Sequence, residues 1–228
     1  MNTTFNNQVA RLWHEIAQIE QDRFFCGNDN KKPVNLVEDA KTIAPGLIGE
    51  NYKPGGIVLM AVNPGGGGES YTERNRMDAE LYPLLRKFRD AKTPEDAVKL
   101  HHDVQQCWMR AQKQFNIGRK LLPAVLETCN AKFEDVAYLN IFLMRTKGDC
   151  APTIPMYQAS WNLAVKKQLD LLQPGHIILL GAKAGNAFER IGYDGNAKVH
   201  PCLKRRIGDA SLHPEAVKIM TKIKNEFK

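Results

Sequence analysis

The chain has 228 residues, of which 43% are hydrophobic and 25% are charged, and its formal net charge is +7. These values are typical of a soluble globular protein that is long enough to bury a full core. No apolar run approaches the roughly 20 residues that a membrane-spanning helix needs, and the amino terminus lacks the pattern of a signal peptide. We therefore expect one cytoplasmic domain covering residues 1–228. The excess positive charge fits a polyanionic partner, but it fits a solvated basic surface equally well.

The cysteines favour reduced thiols. Their count is odd, and no Cys-x-x-Cys pair occurs among Cys26, Cys107, Cys129, Cys150 and Cys202. A disulfide framework or a zinc ribbon is therefore not expected. The paired spacing that marks iron–sulfur sites is also missing, and we expect no cofactor and no metal.

Taken in chain order, the apolar pattern predicts alternating helices and strands. Apolar residues at three- and four-residue spacing predict a first helix from about Phe5 to Arg23. The polar stretch from Cys26 to Pro54 is rich in Asn, Gly and Pro, which predicts a loop. Continuous apolar runs predict buried strands at Gly56–Val62, Val136–Phe142, His176–Gly181 and the shorter Ala197–His200. Further helices are predicted at Met77–Arg89, Pro94–Gln114, Ile117–Asn130 and Tyr157–Leu172. This alternation predicts an α/β fold, a three-layer α/β/α sandwich around a central, mainly parallel four-stranded sheet.

Polar residues follow three of the predicted strands, at the edge where open parallel sheets bind ligands. Asn63-Pro64 and the four glycines from Gly65 follow the first strand, Asn140 ends the second, and His200-Pro201 ends the last. Each feature alone has an ordinary interpretation. The glycine run lacks the downstream acid of a dinucleotide site and the lysine of a phosphate loop, a buried asparagine commonly bonds to backbone, and a lone histidine is commonly structural.

Together, these features resemble the uracil-DNA glycosylase superfamily. The segment Ala61-Val62-Asn63-Pro64-Gly65 is similar to the Gly-x-Asn-Pro-Gly motif of its mismatch-specific and single-strand-selective branches, with alanine in place of the first glycine. The likeness extends from about Gly56 to Arg206 and includes the His-Pro motif, which is followed here by Cys202 where serine is usual. The cluster-binding cysteines of the thermostable bacterial branch are not matched, which argues against an iron–sulfur cluster.

The resemblance implies a monofunctional DNA glycosylase that acts as a monomer on a flipped-out base. Asn63 would position the attacking water and His200 would stabilise the departing base. Asn140 would read the base edge, and Tyr71 or Phe142 would stack on the base. Leu203 would fill the vacated place in the DNA stack, while Lys204, Arg205 and Arg206 contact phosphates. No lysine is placed as an evident Schiff-base nucleophile, which favours simple hydrolysis to an abasic site.

The residue after the motif proline bears on substrate choice. In strict uracil enzymes this position holds a tyrosine that excludes substituents at the pyrimidine C5, whereas this chain has Gly65. We therefore expect a C5-modified pyrimidine. The resemblance extends to bacterial antiviral glycosylases that attack glucosylated hydroxymethylcytosine in phage DNA. The alternatives are a housekeeping uracil or mismatch glycosylase of base-excision repair, a catalytically silent DNA-binding module and a nucleotide-binding α/β protein.

Overall fold

The computed structural model describes residues 3–33, 42–65, 76–111, 121–200 and 214–226. Its strands are β1 (Leu47–Ile48), β2 (Ile57–Ala61), β3 (Val136–Asn140), β4 (His176–Leu179) and β5 (Lys198–His200). Its helices are α1 (Thr3–Ala17), α2 (Gln21–Phe25), α3 (Arg76–Arg89), α4 (Pro94–Ala111), α5 (Leu122–Thr128), α6 (Ile154–Ser160), α7 (Lys166–Leu172), α8 (Ala182–Ile191) and α9 (Pro214–Glu226). Short 3₁₀ turns lie at Asp29–Lys31, Phe133–Asp135 and Lys147–Asp149.

The strands form one five-stranded sheet in the order β1-β3-β2-β4-β5. The pairs β2–β3, β2–β4 and β4–β5 are parallel, and β1 pairs antiparallel with β3. Successive strand residues point to opposite faces of a sheet, and every residue of β2 and β3 is buried. Both faces are therefore covered, which confirms the predicted α/β/α sandwich with a mainly parallel sheet. The predicted number of four strands was too low by one.

The additional strand, β1, lies in the stretch predicted as a loop. It has only two residues, too few to produce a period-two pattern in the sequence. Gly46 brings the chain into the sheet with φ +129°, and a Cβ at this position would lie 2.7 Å from the carbonyl oxygen of Tyr138. The Ile48 N–H donates to Oε1 of Gln105 on α4 at 2.7 Å. The conformation of Gly46 and the bond between Ile48 and Gln105 thus position β1 at the edge of the sheet, and neither produces a periodic pattern in the sequence.

The helix boundaries differ from the predictions at several points. The single first helix predicted to reach Arg23 is two helices, since α1 ends at Ala17 and α2 begins at Gln21. The predicted helix Tyr157–Leu172 starts earlier, at Ile154, and contains a π-helical turn at Trp161–Val165. Within the predicted Ile117–Asn130, the described helix is Leu122–Thr128. Helices α8 and α9 were not predicted.

Within the described ranges, no helix combines the length and apolar content needed to cross a bilayer. In the same part of the chain, no group of three or more His, Cys, Asp and Glu side chains is arranged to hold a metal ion. The four described cysteines form no disulfide bond with one another; Cys202 lies outside the described residues.

A histidine in the core gives an expected acid sensitivity. His101 on α4 is 6% exposed, and its ring lies edge-on to Trp13 with centroids 5.2 Å apart. Burial, with a smaller contribution from His102, lowers the pKa of His101 to about 3. Between pH 6.5 and pH 3 the imidazole of His101 binds a proton in the unfolded chain but not in the folded chain. The free energy of unfolding therefore has its full value above pH 6.5 and decreases as the pH falls towards 3. We expect a loss of roughly 2 to 3 kcal/mol by pH 4.5.

Urea unfolding of the wild type and of His101→Leu between pH 7.5 and pH 4.5 tests this expectation. The leucine variant should show a clearly smaller loss of stability over this range. His102→Gln is the matched control, because His102 is exposed on the same helix. It should keep most of the wild-type dependence, since burial is the larger cause of the lowered His101 pKa. An unchanged pH dependence in His101→Leu would show that another group causes the acid sensitivity.

Candidate functional site

The carboxyl ends of β2 and β3 are held side by side. Ala61 is in register with Asn140. Beyond the strands, Ile141 N–H donates to the Ala61 carbonyl at 2.9 Å, and Phe142 N–H donates to the Val62 carbonyl at 2.8 Å. Asn63, two residues past the end of β2, is therefore kept beside the loop that leaves β3. The two asparagines predicted to belong to the site, Asn63 and Asn140, therefore lie at the same edge of the sheet, at the ends of the neighbouring strands β2 and β3.

Asn140 carries an unsatisfied acceptor. The residue is 1% exposed, and its Oδ1 atom has no hydrogen-bond partner among the described residues. A buried amide oxygen without a partner costs about 1–3 kcal/mol, so native proteins seldom retain one without a reason. Other buried atoms, such as Ser160 Oγ and Thr153 Oγ1, also lack a described partner. Asn140 differs from them because it lies at the end of a parallel strand, the edge at which such sheets bind ligands.

Asn63 is half-buried and is held through its amide nitrogen. Nδ2 donates to the carbonyl oxygen of Pro64 at 3.2 Å and to Oγ1 of Thr146 at 3.3 Å. Thr146 is fully buried, and its hydroxyl donates to the Cys150 carbonyl at 2.7 Å. The loop after β3 thus contacts the loop after β2 through a specific side-chain bond.

A buried ion pair anchors the same loop. Arg145 Nη2 donates to Asp78 Oδ2 at 2.7 Å, and Arg145 Nε donates to the Tyr82 hydroxyl at 2.8 Å. The guanidinium carbon also lies 4.6 Å from the centre of the Tyr82 ring. Burial raises the pKa of Asp78, and Arg145 opposes that rise. Since Asp78 and Tyr82 belong to α3, the cluster fixes the loop that carries Thr146 to the start of this helix.

His200 lies apart from the two asparagines. It ends β5, and the strands β2 and β4 separate β5 from β3. With about 4.8 Å between neighbouring strands, β5 lies about 14 Å from β3, which carries Asn140, and about 10 Å from β2, which leads to Asn63. Its Nε2 lies 2.9 Å from Nδ1 of His176, the first residue of β4, and the two rings are nearly parallel at 18°. The described bond thus directs His200 towards the amino end of β4, whereas Asn140 lies at the carboxyl end of β3.

Two other predicted site residues have contrasting surroundings. Phe142 is completely buried, with its ring edge-on to Phe25 at 5.5 Å and to Phe24 at 6.5 Å, so it is part of the core. Gly65 is exposed, and a Cβ added there would meet no atom within 4 Å. The space beside Asn63 therefore accommodates a larger group at position 65.

The remaining predicted site residues, Tyr71, Leu203, Lys204, Arg205 and Arg206, lie outside the described residues. Sequence reasoning overlooked the residues that support the site, which are Thr146, Arg145, Asp78, Tyr82 and His176. Only one of them carries a local signal, since Arg145 interrupts an apolar run that extends from Ile141 to Met144. An arginine in such a run needs a buried partner, but the sequence does not indicate which acid supplies it.

Comparison of the chain with models of protein families finds no match, and a search among curated proteins finds none either. The functional interpretation therefore depends on the residues at the sheet edge and on the order of the motifs along the chain.

Proposed function

We propose that the chain is a monofunctional DNA glycosylase that hydrolyses the N-glycosidic bond of a flipped-out pyrimidine. The observation that supports this most strongly is the buried Oδ1 of Asn140, which has no partner among the described residues. Asn140 ends β3 in register with Ala61, two residues before Asn63. One amide would accept a hydrogen bond from the base and the other would hold water. Because water alone attacks the N-glycosidic bond very slowly, the proposed reaction uses both amides, one to bind the base and one to position the water.

Asn140 suits the edge of a pyrimidine base. Its amide oxygen accepts a hydrogen bond and its amide nitrogen donates, so it pairs with a base edge that offers one N–H and one acceptor. The N3–H of uracil and the N4 amino group of cytosine are both suitable donors for Oδ1. A flipped base would meet little competition from bulk water at this residue, because Asn140 is 1% exposed.

Asn63 would place the water that attacks C1′. An amide is not a base at neutral pH, so it positions the water, and the proton that the water loses on bonding to C1′ is taken up by the departed anionic base. The C1′–N bond breaks first, the base departs with its electron pair, and the cationic sugar then takes up the water. Because the bond breaks before the water adds, Asn63 does not need to act as a base, but it must hold the water in a fixed position near C1′.

His200 would stabilise negative charge on the departing base. In this proposal it does so only after its ring leaves His176, to which it is bonded at 2.9 Å. Because Phe142 is enclosed by the core, the proposal assigns stacking on the base to Tyr71. Contacts with DNA phosphates are assigned to Lys204, Arg205 and Arg206, and exposed Lys147, next to Thr146, is placed to add one more.

The proposed substrate is a pyrimidine with a bulky group at C5, such as glucosylated hydroxymethylcytosine in phage DNA, and the proposed role is antiviral defence. The open space at Gly65 supports this choice, because glycine has no side chain and a Cβ added there would meet no described atom within 4 Å. The net charge of +7 is compatible with a polyanionic partner such as DNA.

The test is base release from duplexes that are identical except for one nucleotide. The panel contains uracil, cytosine, hydroxymethylcytosine and glucosylated hydroxymethylcytosine, and abasic sites are detected by alkaline strand cleavage. We expect release chiefly from glucosylated DNA. Release from uracil DNA alone would make the chain a repair enzyme, and salt-dependent binding without release would make it a silent DNA-binding module.

Replacing Gly65 with tyrosine should convert the specificity. Because this position is exposed and has open space around it, the variant should keep the wild-type melting temperature. Release of glucosylated hydroxymethylcytosine should fall on the order of 100-fold, since the ring fills the space for the C5 substituent. Release of uracil should change by less than roughly 3-fold. An equal decrease for both bases would mean that Gly65 does not border the C5 position.

A further inference from the structure

The orientation of the Asn63 amide is determined by its neighbours. The carbonyl oxygen of Pro64 can only accept a hydrogen bond, and it lies 3.2 Å from one terminal atom of the Asn63 side chain. That atom must therefore be the NH₂ nitrogen. The same nitrogen lies 3.3 Å from Oγ1 of Thr146, so both contacts use one end of the amide and neither uses Oδ1.

Thr146 reinforces this orientation. A hydroxyl group has one proton to donate, and that of Thr146 is directed to the Cys150 carbonyl at 2.7 Å. Towards Asn63 the threonine oxygen therefore presents a lone pair and accepts. Thr146 is completely buried and Asn63 is half-buried, so water can approach this contact only from the Asn63 side. A polar atom held in this way in the interior has one favourable arrangement.

We propose that Thr146 is a positioning residue that turns the Asn63 amide so that Oδ1 is left to hold the attacking water. The inference rests on the proposed function and adds a residue to it. An amide suits this position, because its NH₂ group can donate both to the Pro64 carbonyl and to the Thr146 hydroxyl. A carboxylate has no proton to donate to the Pro64 carbonyl, and Thr146 could donate to it only by turning its hydroxyl away from the Cys150 carbonyl.

The test compares Thr146→Val with Thr146→Ser, each in the wild-type and in the Asn63→Ala background. Valine keeps the shape of threonine but neither accepts nor donates, whereas serine keeps the hydroxyl. The matched control is Thr128→Val, because Thr128 also donates to a backbone carbonyl at 2.7 Å but lies on α5. Two quantities are measured: single-turnover base release, and the side-chain NH₂ signals of Asn63 in ¹⁵N spectra, assigned by their loss in Asn63→Ala.

In the wild-type background we expect Thr146→Val to lower the rate at saturating DNA on the order of 10-fold, with little change in DNA affinity. Thr146→Ser and Thr128→Val should stay within about 2-fold of the wild type. In the Asn63→Ala background Thr146→Val should have no further effect, because the amide that it positions is gone. The Asn63 NH₂ signals should shift in Thr146→Val and stay in place in Thr128→Val.

An equal loss of rate in both backgrounds would overturn the inference, since Thr146 would then support the fold alone. Unshifted Asn63 NH₂ signals in Thr146→Val would also overturn it. If the wild type releases no base from any DNA, the proposed function fails, and the NH₂ signals still decide whether Thr146 orients Asn63.

Discussion

Replacing Asn140 with leucine should raise the free energy of unfolding and remove base release at the same time. The two side chains are similar in size, and the Asn140 Oδ1 atom is buried without a described partner. Removing it eliminates a desolvation cost of about 1–3 kcal/mol. If this oxygen binds the base, its loss should slow base release on the order of 100-fold or more, as loss of a single transition-state hydrogen bond does elsewhere. Urea unfolding and single-turnover base release measure the two effects.

A gain in stability together with a loss of base release would distinguish an asparagine that binds substrate from one that supports the fold. Ser160→Ala is the matched control, because its Oγ atom is likewise buried without a described partner but lies on α6. This control should be at least as stable as the wild type and should release base at the wild-type rate. A destabilised Asn140→Leu with normal base release would show that Asn140 supports the fold and does not read a base.

Replacing Arg145 with methionine should produce the largest loss of stability. The side chains of Arg145 and Asp78 are 3% and 0% exposed, so removing the arginine leaves a buried carboxylate without its counter-ion. Such a change costs about 3–5 kcal/mol. Without Arg145, protonation of the buried Asp78 carboxylate stabilises the folded variant. The difference in free energy of unfolding between the variant and the wild type should therefore become smaller as the pH is lowered. Urea unfolding at pH 7.5 and pH 5 checks both expectations.

Two further variants decide whether the missing counter-ion is the cause. The double variant Asp78→Leu with Arg145→Met should regain most of the lost stability, because an apolar pair replaces the charges together. Lys166→Met breaks the exposed pair with Asp194, whose side chains are 46% and 72% exposed, and should change stability by less than about 1 kcal/mol. A double variant that is as unstable as Arg145→Met would mean that the arginine acts through packing.

The sheet was predictable because its central strands are buried on both faces. The runs around Val58, Leu139 and Ile178 therefore appear in the sequence as continuous apolar segments. The edge strand β1 was not predictable, because its two residues are too few to form a pattern. The break between α1 and α2 was also missed, since the apolar spacing continues through Ile16 and Ile19 while the backbone turns.

The candidate site was predictable only where it follows a strand. Asn63 lies two residues after β2 and Asn140 is the last residue of β3, and parallel pairing brings such positions to one edge. The supporting contacts depend on pairings between distant parts of the chain, 67 residues apart for Arg145 with Asp78 and 83 for Asn63 with Thr146. The bond of His200 to His176 depends on side-chain direction, and the sequence does not encode that direction locally.

The most direct test of the central claim is single-turnover base release from a duplex that contains one glucosylated hydroxymethylcytosine, with the wild type and with Asn63→Ala. We expect the wild type to produce one abasic site at the modified position. Asn63→Ala should bind the same DNA but release the base on the order of 100-fold more slowly. Equal rates in the two proteins, or binding by the wild type without base release from this duplex, would contradict the account.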